Sequence, residues 1–134
     1  MNVKFIISVV VLFVLSLGLG FVVHGTLLSE HYSQLPNLYR TMEDSENYFG
    51  FMLAAHLSIA IGLTWIYRMG HEAGKPWLAQ GVKFGLAIAV VSTIPIYLIY
   101  YAVQPAPQAL MTMQIAYDVP AVVIMGIVTA LLNK

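Results

Sequence analysis

Asp118 and His56 are the residues whose placement most suggests chemistry. Each lies inside a long apolar run, Asp118 within Gln108–Leu132 and His56 within Asn47–Tyr67. Counted from the expected outer ends of their runs at 1.5 Å per residue, both fall about 12–16 Å deep, near the centre of a bilayer. Ser16 and either Ser92 or Thr93 fall at the same level. Ionisable side chains at that depth are costly unless they face a bundle interior or a cavity, so they are functional candidates. In a His56–Asp118 pair the carboxylate would fix the imidazole tautomer, and each group would lower the desolvation cost of the other. Gln114 precedes Asp118 by one turn, Tyr117 adjoins it, and Pro120 frees a backbone carbonyl nearby. Pro95 does the same by removing the bond to Val91. If the second helix is rotated away, Ser92, Thr93 or Tyr97 would serve Asp118 instead. The structural alternative is a protonated or hydroxyl-bonded Asp118 that only joins helices.

Other chemistries find less support. His24 closes the first apolar run, with Glu30 and His31 about two turns on. Histidine with carboxylate suits a transition metal, but spacings of six and seven do not set these groups side by side. His24 is therefore expected to be an interface histidine, and no metal site is expected. Two axial haem ligands must face each other across one plane. His24 and His56 differ in depth, so no cofactor is expected within one chain, and a haem shared with another subunit stays open. The cluster Glu43-Asp44-Ser45-Glu46 opens the second helix, where the helix dipole favours negative charge. No nucleophile elbow, phosphate loop or dinucleotide fingerprint occurs, and the sequence has no cysteine. A non-catalytic protein is expected.

The elements that must carry these residues are membrane helices. The chain of 134 residues is 60% hydrophobic and only 9% charged, with a mean hydropathy of +0.82. A soluble domain carries about a quarter charged residues. Phe5–Val23, Asn47–Tyr67, Phe84–Val103 and Gln108–Leu132 are each long enough, at about 20 residues, to cross a hydrocarbon core. Helices are selected because lipid offers no partner to backbone N–H and C=O groups. The expected fold is an all-α integral membrane bundle of four transmembrane helices, at about 4–24, 46–68, 78–103 and 107–132, forming one domain over 1–134. The first run is longer than a signal-peptide core and has no A-x-A site after it, so it reads as an uncleaved helix.

Lys4, Arg68, Lys75, Lys83 and Lys134 fall on the side of the termini and only Arg40 on the other. The positive-inside rule then predicts both termini in the cytoplasm. Tyr48, Phe49, Tyr100 and Tyr101 mark the outer boundary, and Trp65, Tyr67 and Trp77 the inner one. In the outer loop Gly25–Glu46, Leu28, Tyr32, Leu35, Tyr39 and Met42 recur at helical spacing. That stripe predicts an interfacial helix pair interrupted at Pro36, lying on the outer leaflet, with Asp44 or Ser45 capping the second membrane helix. Gly70, Gly74 and Pro76 mark a short inner turn, and Gln104-Pro105-Ala106-Pro107 a tight outer hairpin.

Small residues recur every fourth position in two helices: Gly50, Ala54, Ser58 and Gly62, then Gly81, Gly85 and Ala89. They allow close backbone approach, which drives helix association in lipid. Packing within the chain is the simpler expectation for both stripes. His56, however, lies roughly 160° around its helix from the first stripe at 100° per residue. That helix therefore has two faces lipid would not select, and a partner chain would explain the second.

The segments His24-Gly25-x-Leu27-Leu28, Tyr32, Leu38-Tyr39-Arg40, Gly81-x-Lys83-Phe84-Gly85-Leu86, Pro95, Tyr101-Ala102-Val103-x-Pro105-x-Pro107 and Gly126-Ile127-Val128-x-Ala130 together resemble a family of small uncharacterised bacterial four-helix membrane proteins. The resemblance spans nearly the whole chain. It implies the four-helix fold, a bacterial membrane location and an acidic residue at Asp118. His56 falls outside its pattern, and it carries no activity. The functional expectation is an accessory subunit packed against a larger bacterial inner-membrane complex, of electron-transport type. Alternatives are a homo-oligomeric proton-linked transporter and, more weakly, a haem- or quinone-binding anchor. The expected partners are lipids and other membrane subunits or further copies of the chain. Net charge is zero, so nothing favours nucleic acid.

Overall fold

The computed structural model describes residues 2–134. The chain is 83% helical, with no strand among the described residues. Four helices are long and apolar enough to cross a membrane: α1 (Val3–Leu27), α4 (Phe49–Gly70), α5 (Trp77–Val103) and α6 (Gln108–Asn133). Two short helices, α2 (Ser29–Ser33) and α3 (Met42–Glu46), lie in the connection between α1 and α4. With an even number of spans, both termini share one end of the bundle, and the α1–α4 connection and the α5–α6 hairpin share the other.

Local chemistry sets the boundaries. The Asn2 side chain accepts from the Lys4 N–H at 3.0 Å and starts α1. Pro76 and Pro107 stand at the N-caps of α5 and α6, where a missing N–H costs nothing. Gly74 turns the α4–α5 connection at φ +82°, a conformation that glycine adopts readily. Two spans widen locally to π-helix, at Phe21–Leu27 in α1 and Ala89–Thr93 in α5. The second has a direct cause, because Pro95 cannot donate to the preceding turn.

The capping expected at the second membrane helix differs from what is found. Thr41, not Asp44 or Ser45, supplies a cap, accepting from the Asp44 N–H at 3.2 Å to begin α3. α4 starts separately, with Tyr48 at its N-cap and no side-chain cap. The loop stripe also differs in part. Leu28, fully buried, joins Val23 and Leu110, with Tyr32, Leu35, Tyr39 and Met113 packed against them. Met42 is 78% exposed, so the stripe ends at Tyr39. The segment thus covers the loop end of the bundle itself, because its apolar face finds a protein surface there.

The main core is built from Leu12 of α1, Ala60 and Leu63 of α4, and Met125 of α6. α5 packs on α6 through glycine. A Cβ on Gly81 would stand 2.8 Å from the Ile127 Cα, and one on Gly85 2.6 Å from the Val123 Cα. Gly126 faces both: its Cβ would meet the Gly81 oxygen at 2.6 Å and the Gly85 Cα at 2.7 Å. Ala89 continues this contact and is buried. The stripe on α4 does not pack within the chain. Gly50, Ala54 and Ser58 are exposed, and a Cβ on Gly50 or Gly62 would meet nothing within 4 Å. The reason is that α4 turns its other face, with Ala60, Leu63, Thr64 and Tyr67, to the bundle.

Candidate functional site

The polar centre of the molecule gathers at the loop end, around Asp118. The carboxylate Oδ2 lies 3.2 Å from His24 Nε2 and accepts a hydrogen bond from the Tyr97 hydroxyl. His24 Nδ1 lies 2.6 Å from the Tyr32 oxygen, and Gln114 Nε2 donates to that same oxygen at 3.2 Å. Five side chains from α1, the loop, α5 and α6 thus form one connected network. The Tyr32 ring stacks on His24 with centroids 5.9 Å apart and meets Tyr39 at 4.6 Å.

Each member is delivered by its element. His24 sits in the π-helical end of α1, and such widened turns accompany functional sites often. Tyr32 is brought in because Leu28 anchors α2 to the bundle. Tyr97 follows Pro95 by two residues on α5. Gln114 and Asp118 are one turn apart on α6 and share a face, and Pro120 lies inside that helix two residues on.

The expected His56–Asp118 pair is not formed. His56 Nδ1 instead lies 3.0 Å from the Ser16 hydroxyl, between α4 and α1. Its ring occupies the space left by Gly20, where a Cβ would stand 3.1 Å from the His56 Cε1. Depth counting does not find this pairing. Asp118 lies roughly 15 Å from the start of α6 and His24 about 5 Å from the end of α1, at 1.5 Å per residue. They meet all the same, so equal counts from the helix ends do not mark equal depth.

The remaining residues singled out in the sequence divide. Gln114 is 8% exposed and belongs to the network. Ser92 returns its hydroxyl to the Ile88 carbonyl at 2.7 Å, within its own helix. Thr93 is half-buried beside it. Neither makes a hydrogen bond to Asp118. Asp44 of the acidic cluster pairs with Arg40 at 2.8 Å, and the Arg40 guanidinium lies over the Tyr48 ring at 3.5 Å. Sequence reasoning gave His24 too small a part. The missed signal is that Tyr32 and His24 are eight residues apart across a loop whose apolar stripe points back at the bundle.

The hydrogen-bond directions follow from the donor inventory. The Gln114 amide N–H can only donate, so the Tyr32 oxygen accepts from it. Among the described residues, His24 Nδ1 is the one acceptor within reach of the Tyr32 O–H. Burial pushes the Tyr32 phenol up to about 12, against a smaller opposing effect of Gln114, so Tyr32 keeps its proton at neutral pH. With Nδ1 accepting, Nε2 is the ring nitrogen left to donate to Asp118 Oδ2. The Tyr32 and Tyr97 hydroxyls and His24 Nε2 each then have an acceptor. Among the described residues no three His, Cys, Asp or Glu side chains are grouped to hold a metal ion. Comparison with family models, with curated proteins and with solved structures yields no match.

Proposed function

We propose that this multi-pass membrane protein is a non-catalytic accessory subunit that associates with another membrane chain through the small-residue face of α4. The observation that carries the reading is the division of that helix. One face is committed to α1 through the Ser16–His56 contact and the Leu12–Ala60–Leu63 core, while Gly50, Ala54 and Ser58 point away from the bundle. Small residues on a membrane helix favour a close helix partner over lipid, which gains nothing from a flat surface. The larger assembly is a bacterial inner-membrane complex of electron-transport type, with both termini cytoplasmic. Charge supports that orientation, since Lys4, Arg68, Lys75, Lys83 and Lys134 lie at the termini end.

A photo-crosslinking side chain at Ala54, compared with one at the exposed Val90 of α5, tests the association. A covalent adduct to a second polypeptide from Ala54 and none from Val90 is expected. Lipid-only adducts at both positions refute it, and an adduct between two copies of this chain points to a homo-oligomer. The second reading, a proton-linked carrier, is favoured by the Asp118 network. A homo-oligomer would be needed to enclose a path, and Asp118→Asn would then abolish transport in a folded protein.

A further inference from the structure

We infer that the α1–α4 edge at the termini end binds the headgroup of an anionic phospholipid, with Arg68 and Lys4 on its phosphate. Charge is divided along the molecule. Lys4, Arg68, Lys75, Lys83 and Lys134 stand at the termini end, and Glu72 is the one acidic side chain among them. That acid is already engaged. Lys75 pairs with Glu72, and Lys75 first, then Lys83, hold its carboxyl below the usual range. Among the described residues Lys4 and Arg68 form no ion pair. Two basic groups on one helix pair therefore keep an unanswered charge.

Their level and their geometry both suit a lipid phosphate. Lys4 precedes the apolar run that opens at Phe5, and Arg68 follows the run that closes at Tyr67. The ends of such runs mark the headgroup region of a bilayer. Folding then brings the two groups to one edge. The Arg68 guanidinium lies over the Phe5 ring at 5.7 Å, and Lys4 is the neighbour of Phe5 on the first turn of α1. A cation within about 6 Å of a ring centroid is held by the ring's quadrupole, which spends none of its N–H donors. The guanidinium fork matches phosphate oxygens two at a time, and the Lys4 ammonium adds a second charge. An apolar strip leads away from this point. Ile61, Trp65 and Arg68 follow at steps of four and three on one face of α4, and Ile61 is 41% and Trp65 62% exposed. An acyl chain has a surface there that a free anion would not use. A zwitterionic headgroup brings its own ammonium to an edge that is already cationic, so a lipid of net negative charge is selected. The edge lies at the opposite end of α4 from Gly50 and Ala54, and its occupancy is read separately from association.

Native mass spectrometry of the full chain, released from micelles holding equal amounts of phosphatidylglycerol and phosphatidylcholine, tests this. The wild type should retain phosphatidylglycerol in preference to phosphatidylcholine. Arg68→Gln and Lys4→Gln should each lower that preference about fivefold, the usual worth of one basic side chain near an anionic surface. Arg68→Lys keeps the charge but loses the fork, and should fall between Arg68→Gln and wild type. Lys75→Gln removes the same charge from the pair with Glu72 and should retain the wild-type preference. No preference in the wild type overturns the proposal. So does Arg68→Gln or Lys4→Gln behaving as wild type, or a loss in Lys75→Gln as large as theirs. Displacement of phosphatidylglycerol by inorganic phosphate also overturns it, since the edge would then be a site for a free anion. If Arg68→Gln does not fold, Lys4→Gln against Lys75→Gln decides the matter.

Discussion

Replacing Gly85 with alanine adds one carbon where the α5 and α6 backbones approach closely. That carbon would stand 2.6 Å from the Val123 Cα and 3.1 Å from the backbone oxygens of Val122 and Val123. Carbon atoms settle about 3.5–4.0 Å apart, so α5 and α6 must separate by roughly 1 Å. Neither neighbour is a flexible side chain that can swing aside. Overpacking of this kind costs about 1–3 kcal/mol. Alanine also recovers about 0.5–1 kcal/mol of helix propensity relative to glycine, leaving a net loss of up to about 2.5 kcal/mol. Gly50→Ala is the control, since its added carbon meets nothing within 4 Å and only the propensity gain remains. Thermal unfolding in one detergent, read by circular dichroism, should lower the Tm of Gly85→Ala by several degrees and leave Gly50→Ala level or slightly raised. Gly85→Leu should be worse than Gly85→Ala. Equal Tm values for Gly85→Ala and Gly50→Ala would refute the argument, because backbone contact would then not be limiting.

Gly20→Val should push the His56 ring off Ser16, since even a Cβ there would stand 3.1 Å from Cε1; a shifted His56 ring resonance with the His24 resonance intact would check it. Leu110→Ala should destabilise the loop end by about 2–5 kcal/mol, the usual cost of emptying a buried leucine site, and amide exchange should quicken in Leu28–Tyr39 before the rest. Tyr97→Phe removes one donor from Asp118 and should cost about 1–3 kcal/mol if the carboxylate keeps its charge; an unchanged Tm would mean that water replaces the hydroxyl. Reporter fusions at Lys134 and within 25–46 should place the C-terminus in the cytoplasm and the loop outside; the reverse pattern would overturn the orientation drawn from the basic residues.

Four membrane helices are determined by sequence alone, and the reason is solvent physics. Lipid leaves the backbone no partner but itself, so an apolar run of sufficient length has one solution, whatever surrounds it. The Gly81–Gly85 contact was legible for a related reason, since small residues at every fourth position share a face on any helix. Its partner Gly126 has Ala130 four residues on, and Ala130 meets Gly81 as well. Which small stripe packs internally was not legible: Gly50, Ala54 and Ser58 have the same period as Gly81 and Gly85, yet turn outward. Asp118 was evident from its depth, because a carboxylate in an apolar run needs a partner. The identity of that partner was a tertiary matter. Counting residues from helix ends assumes that equal counts mean equal depth, whereas Asp118 meets His24 near the end of α1 and His56 meets Ser16 further along it. Leu28 and Val23 pack with Leu110 at the same end of the bundle, a contact between residues more than eighty positions apart. Periodicity within one helix reports which face a residue occupies, whereas the sliding of one helix against another is decided only where their side chains meet.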